Sequence, residues 1–185
     1  DGPEADRWFD EGSRIVEREL AEQVLGDGGH FERSPMYHAL ALEDVLDLLN
    51  LLAAFERTAP LVQALRTAAA PMLHWLRCLR HPSGALVRFN DCAEGVAPAG
   101  DEIERYATAL GIAAAAVPEQ GVMSLMPSGY VRVARGPAVA FLDVAPIGPD
   151  YLPGHAHADT LSFELSVHGR ELVVNRGTAK ALGLT

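Results

Sequence analysis

The sequence has few of the features that mark several broad classes of protein. It has two cysteines, Cys78 and Cys92, which form neither a CxxC spacing nor a disulfide framework. We therefore expect two small thiols that are buried or half-buried. No stretch approaches the ~20 consecutive apolar residues of a membrane helix, so we expect no membrane insertion. The first residues are acidic and lack the apolar segment of a secretory signal.

Basic residues are also scarce. The chain has 15 Lys and Arg against 25 Asp and Glu, which gives a formal net charge of −10. Nucleic acids and anionic membrane surfaces bind basic faces, so this balance argues against both partners. An anionic ligand would need the few Arg and His side chains gathered at one place. Apolar residues make up 49% of the chain, which is enough for a buried core.

The hydrophobic pattern changes its period along the chain. Helical spacing predicts four helices, at about 6–25, 35–57, 60–80 and 101–114. Alternation predicts strands at 130–135, 138–144, 161–167 and 172–174, the last two joined by a turn at His168-Gly169. The fold class is therefore multidomain, α then β: a helical array followed by an antiparallel sheet. Neither half has enough helices or strands for a complete domain, so we interpret each half as part of a larger domain.

A first cluster of polar residues lies in a Gly-rich connection between two helices, with the sequence DGGHFERSPMYH at 27–38. Loops on a rigid scaffold often carry functional groups. Ser34 and Pro35 also suit the start of the next helix, in which case Tyr37 and His38 are ordinary first-turn residues. Glu32 and Arg33 either form a salt bridge with each other, or Arg33 faces an acidic sugar.

A second cluster, His155-Ala-His157-Ala-Asp159, runs into the alternating strand at 161–167. On an extended chain the two histidines point to opposite faces. A His pair with a carboxylate is common in zinc sites, and it also occurs as a hydrogen-bonded strand entry. The pattern resembles the start of the metallo-β-lactamase motif, but the next His of that motif is Thr160 here.

The two clusters occur in order with two further segments. DGGHFERSPMYH is followed by HPSGALVRFNDCAEGVAP, by SGYVRVARG and by PGHAHADTLSFELSVHGRELVVNRGT. Together they resemble successive landmarks of the heparinase II/III-like polysaccharide lyases, from about Ala21 to Thr178. The resemblance identifies the chain as an internal piece of such an enzyme. It implies that residues 1–118 are the C-terminal part of an (α/α) toroid, and that 119–185 begin an antiparallel β-sandwich.

The resemblance also implies a chemistry, the β-elimination of uronic-acid polysaccharides. That reaction needs a neutralised carboxylate, a base for the C5 proton and an acid for the departing oxygen. Tyr37 matches the catalytic tyrosine of the family, and a nearby cation would lower the pKa of its phenol for the role of base. His155 matches the histidine that reaches across the cleft. The remaining candidates are substrate-binding residues: Glu32, Arg33, His38 and Asn90, the last of which equally suits a plain turn.

Two departures from the family pattern are visible. His157 matches a histidine that binds structural zinc in some members, but Asn175 stands where their second ligand is an Asp, and Asn is a poor zinc ligand. The reaction requires no cofactor, although the whole protein could hold that structural zinc. The carboxylate-neutralising Asn or His of the family precedes the tyrosine by tens of residues, and no Asn-His pair precedes Tyr37 here.

These observations lead to one main expectation and two alternatives. The main expectation is a lyase of anionic polysaccharide, such as an alginate-like polymer, with this piece inactive alone and the whole protein periplasmic or secreted. One alternative is a carbohydrate-binding relative that has lost catalysis. The other is a zinc-dependent hydrolase that uses His155, His157 and Asp159.

Overall fold

The computed structural model describes residues 2–55, 59–151 and 153–176. Within these ranges four helices precede five strands. The helices are α1 (Pro3–Gln23), α2 (Pro35–Phe55), α3 (Ala59–Cys78) and α4 (Gly100–Ala109). The strands are β1 (Gly121–Leu125), β2 (Tyr130–Arg135), β3 (Ala138–Asp143), β4 (Phe163–Val167) and β5 (Arg170–Val173). A 3₁₀ turn, Pro153–His155, interrupts the long connection between β3 and β4.

Helices α2 and α3 lie side by side and form the centre of the helical part. Their apolar side chains, with two from α4, make one buried cluster that includes Leu42, Leu46, Leu65, Leu73 and Ile103. Helix α2 begins where its sequence predicts, because the Ser34 hydroxyl accepts the Tyr37 backbone N–H at 3.3 Å and Pro35 occupies the first turn. This start fixes the position of Tyr37 one turn into a buried helix.

The strands form one antiparallel sheet in the order β1-β2-β3-β4-β5. One face packs against the end of α3, where Trp75, Phe89, Tyr130 and Phe141 make a second buried cluster. The opposite face is apolar and exposed at several positions: Val122, Phe163, Leu172 and Val173. The predicted order of a helical array followed by an antiparallel sheet is therefore confirmed.

Several predicted boundaries differ from the observed ones. Helix α4 ends at Ala109 and not near residue 114, because Gly111 adopts a positive φ of 70° that stops the helix. Strand β4 begins at Phe163, since Leu161 has a φ of 70°, outside the extended region of a regular strand, although its N–H still donates to the Asp143 carbonyl at 2.7 Å. Strand β1 was not predicted; in the structure its half-buried Met123 and buried Leu125 alternate with exposed Val122 and Ser124. The predicted end of α2 at residue 57 lies outside the described residues.

The structure bears on two further features of the sequence, the two cysteines and the lack of long apolar stretches. Cys78 and Cys92 are both buried free thiols, as expected, and burial raises the pKa of each to about 11. None of the helices in the described part of the chain is both long enough and apolar enough to cross a bilayer. The division at 118/119 stays a prediction; it falls in the segment between α4 and β1.

Candidate functional site

Three connections that are distant in sequence meet beside the first turn of α2. They are residues 24–34 before α2, residues 85–99 after α3, and residues 144–162 between β3 and β4. Main-chain groups join them at one residue, Asp91. Its backbone N–H donates to the His155 carbonyl at 3.0 Å, and its carbonyl accepts the Ser34 hydroxyl at 2.6 Å. The helical part and the sheet part therefore both contribute to this corner.

Tyr37 and His155, the two predicted catalytic residues, are in contact there. Their ring centroids lie 4.1 Å apart with the planes tilted by 47°. The Tyr37 hydroxyl donates to Asp91 Oδ2 at 3.4 Å, a long hydrogen bond, and His155 Nδ1 lies 2.8 Å from the same oxygen. The His155 side chain is 34% exposed, so the pair is open on one side.

Acidic groups surround this pair. Glu32 places Oε2 at 3.9 Å from His155 Nε2, on the opposite side of the ring from Asp91. The pKa of Tyr37 is raised above its usual value, first by loss of solvent and then by the charges of Asp91 and Glu32. The expectation that a cation would lower this pKa is therefore not met by the residues that face Tyr37. At neutral pH the phenol carries its proton.

The sequence pattern suggested that His155 lies on an extended strand, but in the structure it does not. It ends the 3₁₀ turn Pro153–His155, and the chain extends only afterwards. The argument that His155 and His157 point to opposite faces of a strand is therefore wrong for this connection. The turn presents His155 to Tyr37, while the His157 backbone N–H donates to Asn90 Oδ1 at 3.2 Å.

Asn90 is buried and supports the site from behind. It is 7% exposed and has a positive φ of 58°. Its side-chain amide donates to the Arg33 carbonyl at 3.2 Å and to the Tyr130 hydroxyl at 3.0 Å, and its backbone N–H donates to Asp159 Oδ2 at 2.7 Å. Every one of these contacts is internal to the protein, and the role of Asn90 in substrate binding stays a prediction.

The Arg33 side chain contacts another connection of the chain. Its guanidinium donates to the Pro146 carbonyl and lies against Gly148, both in the β3–β4 connection. Its backbone carbonyl accepts the Tyr130 hydroxyl at 2.6 Å. Arg33 thus ties the connection that carries His155 to the start of α2. Glu32 faces His155 instead of pairing with Arg33.

His38 lies under the site and not in it. It is 0% exposed and its ring packs against Trp75, with ring centroids 4.2 Å apart and the planes tilted by 43°. Its Nδ1 accepts the His30 backbone N–H at 3.2 Å, and its Nε2 lies 2.9 Å from the Met72 carbonyl. Both ring nitrogens are occupied, so His38 has no atom available to a substrate in this structure. It holds the Gly-rich connection against α3.

The residues around His157 do not fit the structural zinc of the family. No three His, Cys, Asp or Glu side chains in the described ranges lie close enough to share a metal ion. Asn175 lies near the expected corner, but its amide donates to Asp159 Oδ2 at 3.2 Å, where a metal would need an acceptor from both residues. The second carboxylate oxygen of Asp159 is buried without a hydrogen-bond partner. This one oxygen of Asp159 does not by itself form a metal site.

Asp91 is the residue at this corner that sequence reasoning did not select. Of the adjacent residues Asn90 and Asp91, only Asn90 was chosen as a candidate. The two side chains that Asp91 joins are 54 and 64 residues away in the chain. The spacing of neighbouring residues in the sequence cannot predict contacts between residues so far apart in the chain. The useful signal would have been a search for a carboxylate partner to His155.

Comparisons with known proteins identify the family and the fold. The family profile "Heparinase II/III N-terminus" matches residues 3–109, and "Heparinase II/III-like, C-terminal" matches residues 118–184. No curated protein sequence gives a match.

Solved structures share the fold. The heparan sulfate lyase HepC from Pedobacter heparinus superposes with a TM-score of 0.69 at 22% identity, over 95% of this chain and 29% of that one. A heparinase III gives a TM-score of 0.74 at 19% identity, over 95% of this chain and 31% of that one. The chain thus spans about three tenths of the length of these enzymes. Its four helices correspond to part of a toroid and its sheet to part of a β-sandwich, and the chain belongs to the heparinase II/III family.

Proposed function

We propose that the protein to which this chain belongs is a polysaccharide lyase that cleaves a uronic-acid-containing polysaccharide by β-elimination. The observation that carries the proposal is the contact of Tyr37 with His155 at an open corner where the helical part meets the sheet. An acid and a base side by side are what the elimination requires. The identity of the anionic polymer is a further proposal. Heparan sulfate is the first to test, because one similar structure is named a heparan sulfate lyase.

The charges around the pair favour one division of the two roles. His155 Nε2 accepts the proton from C5 of the uronate, and a C4–C5 double bond forms as the C4–O bond breaks. The departing oxygen takes the bond's electron pair and receives the Tyr37 phenolic proton. The raised pKa of Tyr37 supports its role as the acid, because the phenol is protonated before the reaction. Solvent then restores both residues.

Neutralisation of the substrate carboxylate is a step for which the described residues at this corner supply no group. Glu32 and Asp91 are acidic, and the Arg33 guanidinium is directed at a backbone carbonyl. A uronate carboxylate placed here without a further cation or amide donor would be repelled, and negative charge could not develop at C5. We therefore propose that the chain alone does not turn over substrate.

The test is to incubate the whole protein with heparan sulfate, alginate and other uronate polymers and to follow the ultraviolet absorbance of the unsaturated product. We expect the absorbance to rise with at least one polymer. Tyr37→Phe should lower kcat by about 100-fold or more, because it removes the transferred proton. Tyr106→Phe is the matched control. It also removes a tyrosine hydroxyl, but that hydroxyl donates to Asp47 and not to a residue of the pair. Full activity in Tyr37→Phe would refute the proposal.

One observation favours the alternative of a carbohydrate-binding relative without catalysis. Among the described residues, the charges that act on Tyr37 are those of two carboxylates, Asp91 and Glu32. A flat absorbance trace across the panel, together with saturable binding of one polymer, would select that alternative. The zinc-dependent hydrolase has no such support, because His157 and Asp159 form no metal cluster in the described residues.

A further inference from the structure

One carboxylate oxygen joins the two residues that the proposed function makes catalytic. Asp91 Oδ2 lies 2.8 Å from His155 Nδ1 and 3.4 Å from the Tyr37 hydroxyl. We propose, on the basis of that function, that Asp91 is the positioning residue of the site, which holds neutral His155 as the Nδ1–H tautomer with Nε2 free for the substrate proton. No role for this carboxylate follows from the sequence pattern or from the family profiles.

The first step of the argument is that Asp91 is itself held firmly. Its carbonyl accepts the Ser34 hydroxyl at 2.6 Å, and Ser34 also caps α2 one turn before Tyr37. Its N–H donates to the His155 carbonyl at 3.0 Å. The preceding Asn90 is fixed by bonds to Asp159 and Tyr130. Asp91 is therefore anchored to the helix that carries Tyr37 and to the turn that carries His155.

The second step concerns the imidazole. A carboxylate oxygen can only accept a hydrogen bond, so the short contact with Asp91 places a proton on His155 Nδ1. In the neutral ring the lone pair then lies on Nε2. That nitrogen lies on the side away from Asp91, where Glu32 Oε2 lies 3.9 Å from it. This distance is too long for a hydrogen bond, so Nε2 is available to a proton from C5.

The third step concerns the ring's other neighbours. The titratable groups around His155 are Asp91, Glu32, the Tyr37 phenol and, from the Gly-rich connection, His30. His30 is deeply buried, and this burial is the first cause that lowers its pKa to about 4, so it stays neutral near pH 7. Among these groups only Asp91 accepts a hydrogen bond from Nδ1. It alone is placed to choose the tautomer.

The test distinguishes the role of Asp91 as a hydrogen-bond acceptor from the role of its negative charge. Asp91→Ala removes the acceptor, whereas Asp91→Asn keeps an oxygen that can accept from Nδ1–H. Long-range proton–nitrogen NMR of ¹⁵N-histidine-labelled protein reports which nitrogen is protonated, and a His155→Gln variant identifies the signal. We expect the Nδ1–H tautomer in the wild type and in Asp91→Asn, and a shift toward Nε2–H in Asp91→Ala. Asp150→Asn, an exposed carboxylate in the same connection, should leave the tautomer unchanged.

Kinetics of the whole protein supply the second readout. Loss of a hydrogen bond that orients a functional histidine lowers activity by about 10–100-fold, so we expect a fall in kcat of that size in Asp91→Ala with little change in KM. Asp91→Asn should recover part of the loss. The inference is overturned if the wild type has the Nε2–H tautomer, or if Asp91→Ala keeps Nδ1–H. The NMR result stands even if no polymer is cleaved, so failure of the proposed function is distinguishable from failure of this inference.

Discussion

His38 shows at the scale of one residue how burial decides what a polar side chain can do. Its sequence position, beside Tyr37, suggested contact with substrate. In the fold its Nδ1 accepts a backbone N–H and its Nε2–H donates to a carbonyl, which is the hydrogen-bond pattern of a neutral ring. Protonation of Nδ1 would break the first bond. Burial accordingly lowers the pKa of His38 to about 3.

This pKa predicts a loss of stability in acid. An unfolded histidine titrates near 6.5, so between pH 6.5 and about 3 the unfolded state binds a proton that the folded state does not. The contribution of His38 to the free energy of unfolding is complete above pH 6.5. It decreases as the pH falls, by at most about 1.4 kcal/mol per pH unit. His30, with a pKa of about 4, acts in the same direction.

Denaturant unfolding at a series of pH values from 7 to 4 measures this slope. His38→Gln should be less stable than the wild type at pH 7 and should lose part of the slope, since glutamine does not titrate. His168→Asn is the control, because it removes an exposed histidine from the β4–β5 turn, at a φ of 51° that Asn tolerates. A slope in His38→Gln equal to that of the wild type would contradict the assignment.

At the scale of elements, the features that sequence predicted well are those whose cause is local. The start of α2 follows from Ser34 and Pro35, and the turn between β4 and β5 follows from His168-Gly169. The errors arise where one residue adopts a left-handed backbone that hydrophobic spacing does not reveal. Gly111 ends α4 early, and Leu161 delays β4. Leu161 has no glycine-like sequence signal, so its effect could not be read from the pattern.

The residues of the candidate site also differ in whether local sequence is enough to select them. Tyr37 and His155 could be selected because each lies in a recognisable local segment. The functions of Asn90 and Asp91 depend on partners from other connections: Asn90 binds Arg33 and Tyr130, and Asp91 binds both catalytic candidates. Adjacent residues thus have opposite roles, one buried behind the site and one facing into it. Only the tertiary contacts distinguish them.

The turn between β1 and β2 offers a direct test of how such an element is fixed. Gly129 has a φ of 84°, and a Cβ added there would lie 2.4 Å from the Ala145 Cα and 2.8 Å from its backbone N. Gly136, in the β2–β3 turn, has a φ of 55° and no atom within 4 Å of an added Cβ. Both alanine substitutions carry backbone strain of about 1 kcal/mol, but only the one at Gly129 also forces two backbones apart.

We therefore expect Gly129→Ala to lower the free energy of unfolding by at least about 2 kcal/mol more than Gly136→Ala does. Equilibrium denaturation of the two variants in parallel with the wild type measures the difference. Because Ala145 leads into the connection that carries His155, activity of the whole protein should also fall in Gly129→Ala. Equal destabilisation of the two variants would show that the close approach to Ala145 can relax.

At the scale of the whole molecule, the sheet presents two faces of opposite character. The outer face of β4 carries Phe163 and Leu165, whereas its inner face carries Glu164 and Ser166, both fully buried. The polar residues are inside because they bind groups from the helical part. His81, just after α3, places Nε2 at 2.6 Å from Glu164 Oε2 and Nδ1 at 2.7 Å from the Ser166 hydroxyl.

Glu164 also accepts two backbone N–H groups on its other oxygen, from Arg88 at 2.7 Å and from Asn175 at 3.1 Å. One buried side chain therefore joins the end of α3, the connection that leads to Asp91, and the chain after β5. A second bridge acts beside it, where Trp75 Nε1–H donates to the Ser128 hydroxyl at 2.8 Å. Two such bridges predict that helices and sheet unfold as one unit.

Glu164→Ala tests this prediction, because it leaves His81 and two backbone N–H groups buried without their acceptor. We expect a loss of about 3–5 kcal/mol in the free energy of unfolding. Glu171→Ala is the matched control: its carboxylate binds Ser83 and Arg88 near the surface, where such a pair contributes about 0–1 kcal/mol.

Two probes distinguish a shared core from two independent parts. With the exposed Trp8 replaced by Phe, tryptophan fluorescence follows Trp75, which lies on α3 against the sheet, and amide hydrogen exchange follows β3 and β4. If the bridges couple the parts, both probes shift together in Glu164→Ala and the helical amides lose protection with them. Loss of protection in the sheet alone would mean that Glu164 stabilises β4 locally. In that case Tyr37 and His155 could separate without global unfolding, since the connection that carries His155 begins and ends in that sheet.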